Sequence, residues 1–346
     1  MSASHWYIKA ASACTGQGVT PAQIYAGVQT TSSRVVPCSS LTVNFEGVVT
    51  SSLVCPVNDD VIEPGSRCAV LAAQALSEFA KTCDVMPMEG AIALQLGSTV
   101  QHDTFMEDLN NALFQLGLQD IGNRLDSLEK VFISQPEDWS KLEAFEEVIW
   151  LSVDSLLNRT SIDVLEDHIA NEIYPEGIVP GEASAILWLS KFNESMYNID
   201  KANMDNNQEE SYKNRSYIDE RFARLRVYQS SWRRLEELHS DHAEIEPLQH
   251  LMVNSVSALP KQQSAWYQWI GRLKLTDTQA IEQAPHLWLA RSFGYVGVAS
   301  ASIGVLCALG YLTLSLATTT SAWLVDAQLP QGYHLYKIEQ GKQDVE

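Results

Sequence analysis

A chain of 346 residues with 45% apolar side chains is long enough to bury a large core and too apolar for wholesale disorder. Its formal charge of −20 would repel phosphate, so nucleic acid is excluded as an expected partner. The opening MSASHWYIKAASAC has no basic stretch leading into a long apolar one; no secretory signal is expected, the chain reads as cytoplasmic, and its six cysteines should be reduced.

In chain order, residues 5–13 (HWYIKAASA) read as a first strand ending at the Gly16-Gln17-Gly18 turn. Thr20 caps a short helix with Pro21 in its first turn. Residues up to about Pro64 are rich in Ser, Thr, Val and Pro and read as irregular loop with short strands. In residues 65–83, Cys68, Leu71, Ala72, Ala75, Leu76 and Phe79 fall at helical spacing. Residues 91–98 form an apolar strand between Gly90 and Gly97; a strand apolar on both faces belongs inside a sheet covered by helices. Residues 104–118 and 121–132 read as helices, residues 147–153 as another buried strand, 177–182 as a turn and 185–190 as a strand.

From residue 193 to 226 the chain turns polar and charge-rich, which predicts a surface excursion between two halves. Residues 248–258 read as a strand and 262–270 as a Trp-bearing helix. Residues 292–325 then run without a charged side chain, long enough to cross a bilayer. Its start is crowded with Gly, Ala and Ser, its end with Thr, and no basic flank orients it. The reading is a helix over residues 298–316 buried at the centre of the protein, with no membrane partner. A hairpin of residues 321–326 and 333–338 around Pro330-Gln331-Gly332 closes the chain. Strands alternating with helices imply an α/β sheet with crossovers, in a layout that suggests duplication.

The chain resembles β-ketoacyl synthases and their thiolase-fold relatives. The likeness rests on the opening strand with TPAQIYAGV, on GSRCAVLAAQAL with Arg67, and on VIWLSVDSLL followed by GIVPGEASAILWLSK. The fourth place is SFGYVGVASASIGVLCAL. The resemblance implies a five-layer αβαβα fold from two related halves, with a central helix from each. The halves would be residues 1–192 and 247–346, with residues 193–246 as the polar connection.

Active members need a nucleophilic Cys at a helix N-terminus, where the helix dipole lowers the thiol pKa. That Cys should lie shortly before VIWLSVDS, yet there is no cysteine between Cys83 and Cys307. Where the family's second-half histidines would stand, the chain has Gly294-Tyr295 and Ser257-Ala258-Leu259. Condensation by the family's mechanism is therefore not expected. The remnant of the site would comprise Asp154, Ser155, Gly181, Glu182, Ser257, Gly294, Tyr295 and Gly297. Glu182 reads as a brace for a turn in preference to a catalytic base.

Other chemistry is weaker. Cys14, Cys38, Cys55, Cys68 and Cys83 are irregularly spaced without a CxxC pair, which makes no zinc site. His239, Asp241, His242 and Glu244 read as solvated surface, so no metal is expected. Gly16-Gln17-Gly18 lacks the third glycine of a dinucleotide site, and no cofactor is expected. Arg221, Arg224, Arg226, Arg233 and Arg234 form the basic cluster of an acidic chain, either paired with Glu236 and Glu237 or serving as a docking patch.

The resemblance implies a homodimer or a heterodimer with a similar chain. Among family members it looks most similar to thiolase-like accessory proteins found with type VI secretion effectors and adaptors, which implies an effector or adaptor as protein partner. The alternative is a non-catalytic, acyl-binding or chain-length-type subunit of a synthase pair.

Overall fold

The computed structural model describes residues 3–30, 34–57, 64–83, 86–165, 168–191, 223–228, 251–254, 264, 268, 286–314, 321–328 and 332–340. In chain order its elements are β1 (Ala3–Cys14), α1 (Pro21–Gln29), β2 (Val36–Phe45), β3 (Val48–Val54), α2 (Pro64–Thr82) and β4 (Ala91–Leu96). Then come α3 (His102–Gln115), α4 (Gln119–Ser127), β5 (Glu129–Phe132), a 3-10 helix over Pro136–Ala144, β6 (Glu147–Ser155), α5 (Arg159–Leu165) and β7 (Glu182–Ser190). The remainder comprises β8 (Ala223–Tyr228), β9 (Leu251–Asn254), β10 (His286–Trp288), α6 (Leu289–Phe293), a 3-10 turn Gly297–Ala299, α7 (Ser300–Leu314), β11 (Ser321–Gln328) and β12 (Gly332–Gln340).

Ten strands join in the order β10-β9-β11-β12-β8-β1-β7-β6-β4-β5. Cut between β8 and β1, this is one pattern twice. Setting aside the separate β2–β3 hairpin, each half runs third-second-fourth-fifth-first in its own strand sequence. In each, the first strand is antiparallel to the fifth and the fifth to the fourth, while the second lies parallel between fourth and third. The two first strands, β1 and β8, pair antiparallel across the join. The duplication is thus plain in topology although faint in sequence.

Side-chain alternation builds the layers. On β4, Ile92, Leu94 and Leu96 face α2 and pack with its Leu71, Ala72, Leu76 and Phe79. Ala91 and Ala93 face the other way, into the core that holds α7. That core also takes Leu225 and Val227 of β8, Leu324 of β11 and Ile338 of β12, so α7 lies between the two sheet halves. Every residue from Ser300 to Leu312 is buried. Gly297–Leu314 is the one segment among the described residues apolar and long enough to span a membrane, and 83% of it is covered by the protein. At Gly310 the helix crosses α1 so closely that a Cβ would overlap the Pro21 carbonyl.

Three expectations change. Residues 36–54 are a hairpin whose register shifts between Cys38 and Thr42, turned at Glu46 (φ 51°) and Gly47 (φ 86°), the positive-φ pair of a two-residue loop whose twist suits the flanking strands. Residues 129–132, read with the preceding helix, are instead the edge strand β5, because the open side of β4 takes them up in parallel register. Ala223–Tyr228, inside the expected excursion, is the inner strand β8, so the second half begins before residue 247. The connection between third and fourth strands also differs between the halves, while α1 of the first half packs against α7 in the shared core. The second half spends residues 289–320 between its third and fourth strands and forms α7. The first half spends only residues 133–146 there and forms the 3-10 helix, with Pro136 in its first turn.

Candidate functional site

At the C-terminal end of β6 and the start of β7, two buried acids are held in different ways. Glu182 accepts from Arg67 through both Nε and Nη2, the latter at 2.7 Å, and from the Val57 N–H at 2.7 Å. Ser155 Oγ donates to it at 3.0 Å. Arg67 sits on α2 and Glu182 on the sheet, so a fork-to-fork ion pair locks the outer helix to the strand. Both residues are buried. Glu182 thus ties helix to strand, where the sequence suggested a brace for a turn, and Arg67 and Val57 are partners that sequence reasoning missed.

Among the described residues no cation donates to Asp154. Its Oδ2 accepts the Val298 N–H at 3.0 Å, just ahead of α7. Gly97 and Gly297 lie against its carboxyl so tightly that a Cβ on either would overlap it. Burial pushes its pKa from 3.8 to about 6, against the opposing pull of the Val298 and Ser155 N–H groups. Folded protein thus keeps a proton that the unfolded chain releases, so stability falls as pH rises from about 4 to about 6 and is level above. Asp154→Asn should remove that slope. In urea titrations it should gain about 3 kcal/mol on wild type between pH 4 and pH 7, at roughly 1.4 kcal/mol per pKa unit; parallel pH profiles would refute the assignment.

Asp326 is the counterpart of Asp154 in the second half. Val153 pairs with Leu96, the last residue of β4, and Val325 with Asn254, the last of β9; an aspartate follows each valine. Asp326 Oδ1 accepts from Ser300 Oγ at 2.5 Å, and Ser152 Oγ meets Ser302 Oγ. The amino end of α7 is therefore gripped by matching carboxylates from both halves, a polar clamp inside an apolar core.

The other expected site residues interlock through backbone. Tyr295 N–H donates to Val179 O at 2.7 Å and Gly181 N–H to Tyr295 O at 2.9 Å. Gly294 has φ 71°, and a Cβ there would sit 2.7 Å from Val179 O and 3.2 Å from Cys55 Cβ. A Cβ on Gly181 would overlap Phe293 O. The Tyr295 side chain packs with Leu156 and Ile178. Asp154, Ser155, Gly181, Glu182, Gly294, Tyr295 and Gly297 are thus brought together; Ser257 lies outside the described residues.

Cys55, absent from the expected set, lies beside Gly294, and its Sγ donates to Ser292 O at 3.8 Å; the Cys68 thiol bonds to the Ser155 backbone. Burial raises the Cys55 pKa, pushes Cys14 up to about 12, and raises Cys68 and Cys307 further, so all four stay protonated. Residues 133–146, where the resemblance places the nucleophile, contain no cysteine. The N–H groups of Ser134 and Gln135 there are taken by Asp138 Oδ2 at 2.9 and 3.1 Å.

Of the expected docking patch, Arg221, Arg233 and Arg234 lie outside the described residues, as do His239, Asp241, His242 and Glu244. Arg224 and Arg226 are strand residues on β8. No group of three or more His, Cys, Asp or Glu side chains is placed to hold a metal among the described residues.

No protein-family model matches the chain, and no curated protein does. Solved structures do. The ishigamide ketosynthase/chain length factor aligns over 99% of this chain and 100% of its own, at 11% identity and a TM-score of 0.61. The AntDE:AntF complex, a type II PKS acyl-carrier protein with its ketosynthase bound to the hexaketide, aligns over 98% and 99% at 11% identity and a TM-score of 0.63. A β-ketoacyl synthase from Burkholderia phymatum STM815 aligns over 98% and 100%, also at 11% identity and 0.63. The chain has the thiolase-like α/β fold of these ketosynthases.

Proposed function

We propose that this chain is a non-catalytic thiolase-fold subunit that works by binding, paired with a second thiolase-fold chain as a chain length factor is with its ketosynthase. One observation carries the reading: the connection before β6, where a nucleophilic thiol on a helix would stand, is a short 3-10 helix without cysteine. An unactivated site of this kind leaves recognition as the use of the fold. The neighbours named as ketosynthase and chain length factor favour this reading over the accessory role beside type VI effectors or adaptors. In either case the partner is a protein, with no cofactor or metal required.

Tagged chain purified from its own host and analysed by mass spectrometry should bring down a thiolase-fold chain in near-equal amount. Recovery of secretion components in its place would move the assignment to the accessory role. Alone, the chain should give no condensation product from acyl and malonyl thioesters; steady turnover would sink the reading.

A further inference from the structure

Arg224 and Arg226 stand two residues apart on β8, and sheet register sets them beside residues of neighbouring strands. His5 lies opposite Arg226 and Tyr7 opposite Arg224 on β1. Lys337 lies opposite Arg226 and Glu339 opposite Arg224 on β12, and Trp323 of β11 lies opposite Lys337. Alternation puts these side chains on one face, turned away from α7, because Leu225 and Val227 between them enter the core. The Arg224 guanidinium lies 5.3 Å from the Tyr7 ring and the Lys337 ammonium 5.3 Å from the Trp323 ring. Aromatic faces hold such cations without neutralising them.

Among the described residues, Glu339 pairs with two of the three cations. Glu339 Oε1 is 2.6 Å from Lys337 Nζ, and its Oε2 is 3.9 Å from Arg226. Arg224 is exposed and makes no ion pair among the described residues, and Arg226 Nε is buried without an acceptor. The pKa of His5 is lowered chiefly by burial; Arg226 and Arg224 lower it further, and Glu339 and Glu143 oppose them. In a chain of net charge −20, this face sets three cations against one carboxylate among the described residues.

We infer that this face docks an acidic segment of a protein partner, with its carboxylates set on the exposed Arg224 guanidinium and beside the part-exposed Arg226 side chain. The patch measures roughly 7 Å along the strands and 14 Å across them, enough for two or three carboxylates. A nucleic-acid backbone would run past it onto a chain that repels phosphate. The inference goes beyond the proposed pairing and does not rest on it.

The test is fluorescence anisotropy of the full chain with a labelled peptide of alternating Glu and Ala, beside its Gln-Ala counterpart. At low salt the Glu peptide should bind and the Gln peptide should not. Arg224→Gln, at an exposed position that does not hold the fold, should weaken binding about tenfold, the loss of one charge-assisted contact. Arg159→Gln, an exposed cation paired with Asp163, should bind as wild type. The inference is overturned by absence of binding at low salt, by equal binding of both peptides, or by wild-type affinity in Arg224→Gln. Competition by inorganic phosphate or a short single-stranded RNA as effective as the Glu peptide also overturns it. The assay contains no second thiolase-fold chain, so its failure leaves the pairing proposal standing.

Discussion

Arg67→Ala will lower the unfolding free energy by about 3–5 kcal/mol, the cost of leaving one member of a buried ion pair uncompensated. The arginine closes a fork on Glu182, which also accepts from Val57 N–H and Ser155 Oγ. Without the guanidinium, a carboxylate that is 1% exposed loses the cation it pairs with. Arg67→Met combined with Glu182→Leu should be less damaging than Arg67→Ala, because no charge is then stranded, although Val57 and Ser155 lose their acceptor. Urea titrations of the three proteins decide it. A loss below about 1 kcal/mol in Arg67→Ala would mean that water reaches Glu182 and that the pair is not the lock between α2 and β7.

Gly297→Ala will cost about 2–5 kcal/mol, from two sources that can be separated. The residue has φ 52°, where an alanine costs about 1–2 kcal/mol on backbone grounds alone. Its Cβ would also overlap Asp154 Oδ2, and relieving such overpacking adds about 1–3 kcal/mol. In an Asp154→Ala background the second contribution vanishes and the first remains, so the double-mutant cycle should give a coupling of about 1–3 kcal/mol. Additive effects would mean that the carboxylate does not lie where Gly297 and Gly97 enclose it. The clamp on α7 would then rest on Asp326 and the serines.

The frame was legible because it is written locally. The apolar periodicity of residues 65–83, the doubly apolar run before Gly97 and the uncharged run of residues 292–325 each announce burial within their own length. Thr20 also behaves as read, with Gln23 completing a capping box. The site was legible by residue and not by partner. Glu182 reads as a brace, but Arg67 lies 115 residues away and nothing near Glu182 points to it.

β8 was missed for a related reason. ARLRVY alternates as a strand should, with Leu225 and Val227 inward, yet two arginines in a charged neighbourhood read as surface connection. That alternation was the available signal. So was the Val-Asp pair closing the fourth strand of each half, Val153-Asp154 and Val325-Asp326, a trace of the duplication.

The sequence by itself determined an α/β protein with a core helix, a candidate site that includes Asp154 and Glu182, and no thiol where the resemblance needs one. Tertiary structure alone decided which charges meet, which strand closes each half, and that a 3-10 helix stands in the first half where α7 stands in the second. The reason lies in sheet order. β1 has β7 and β8 as neighbours, so contacts follow a spatial sequence that the linear one does not contain.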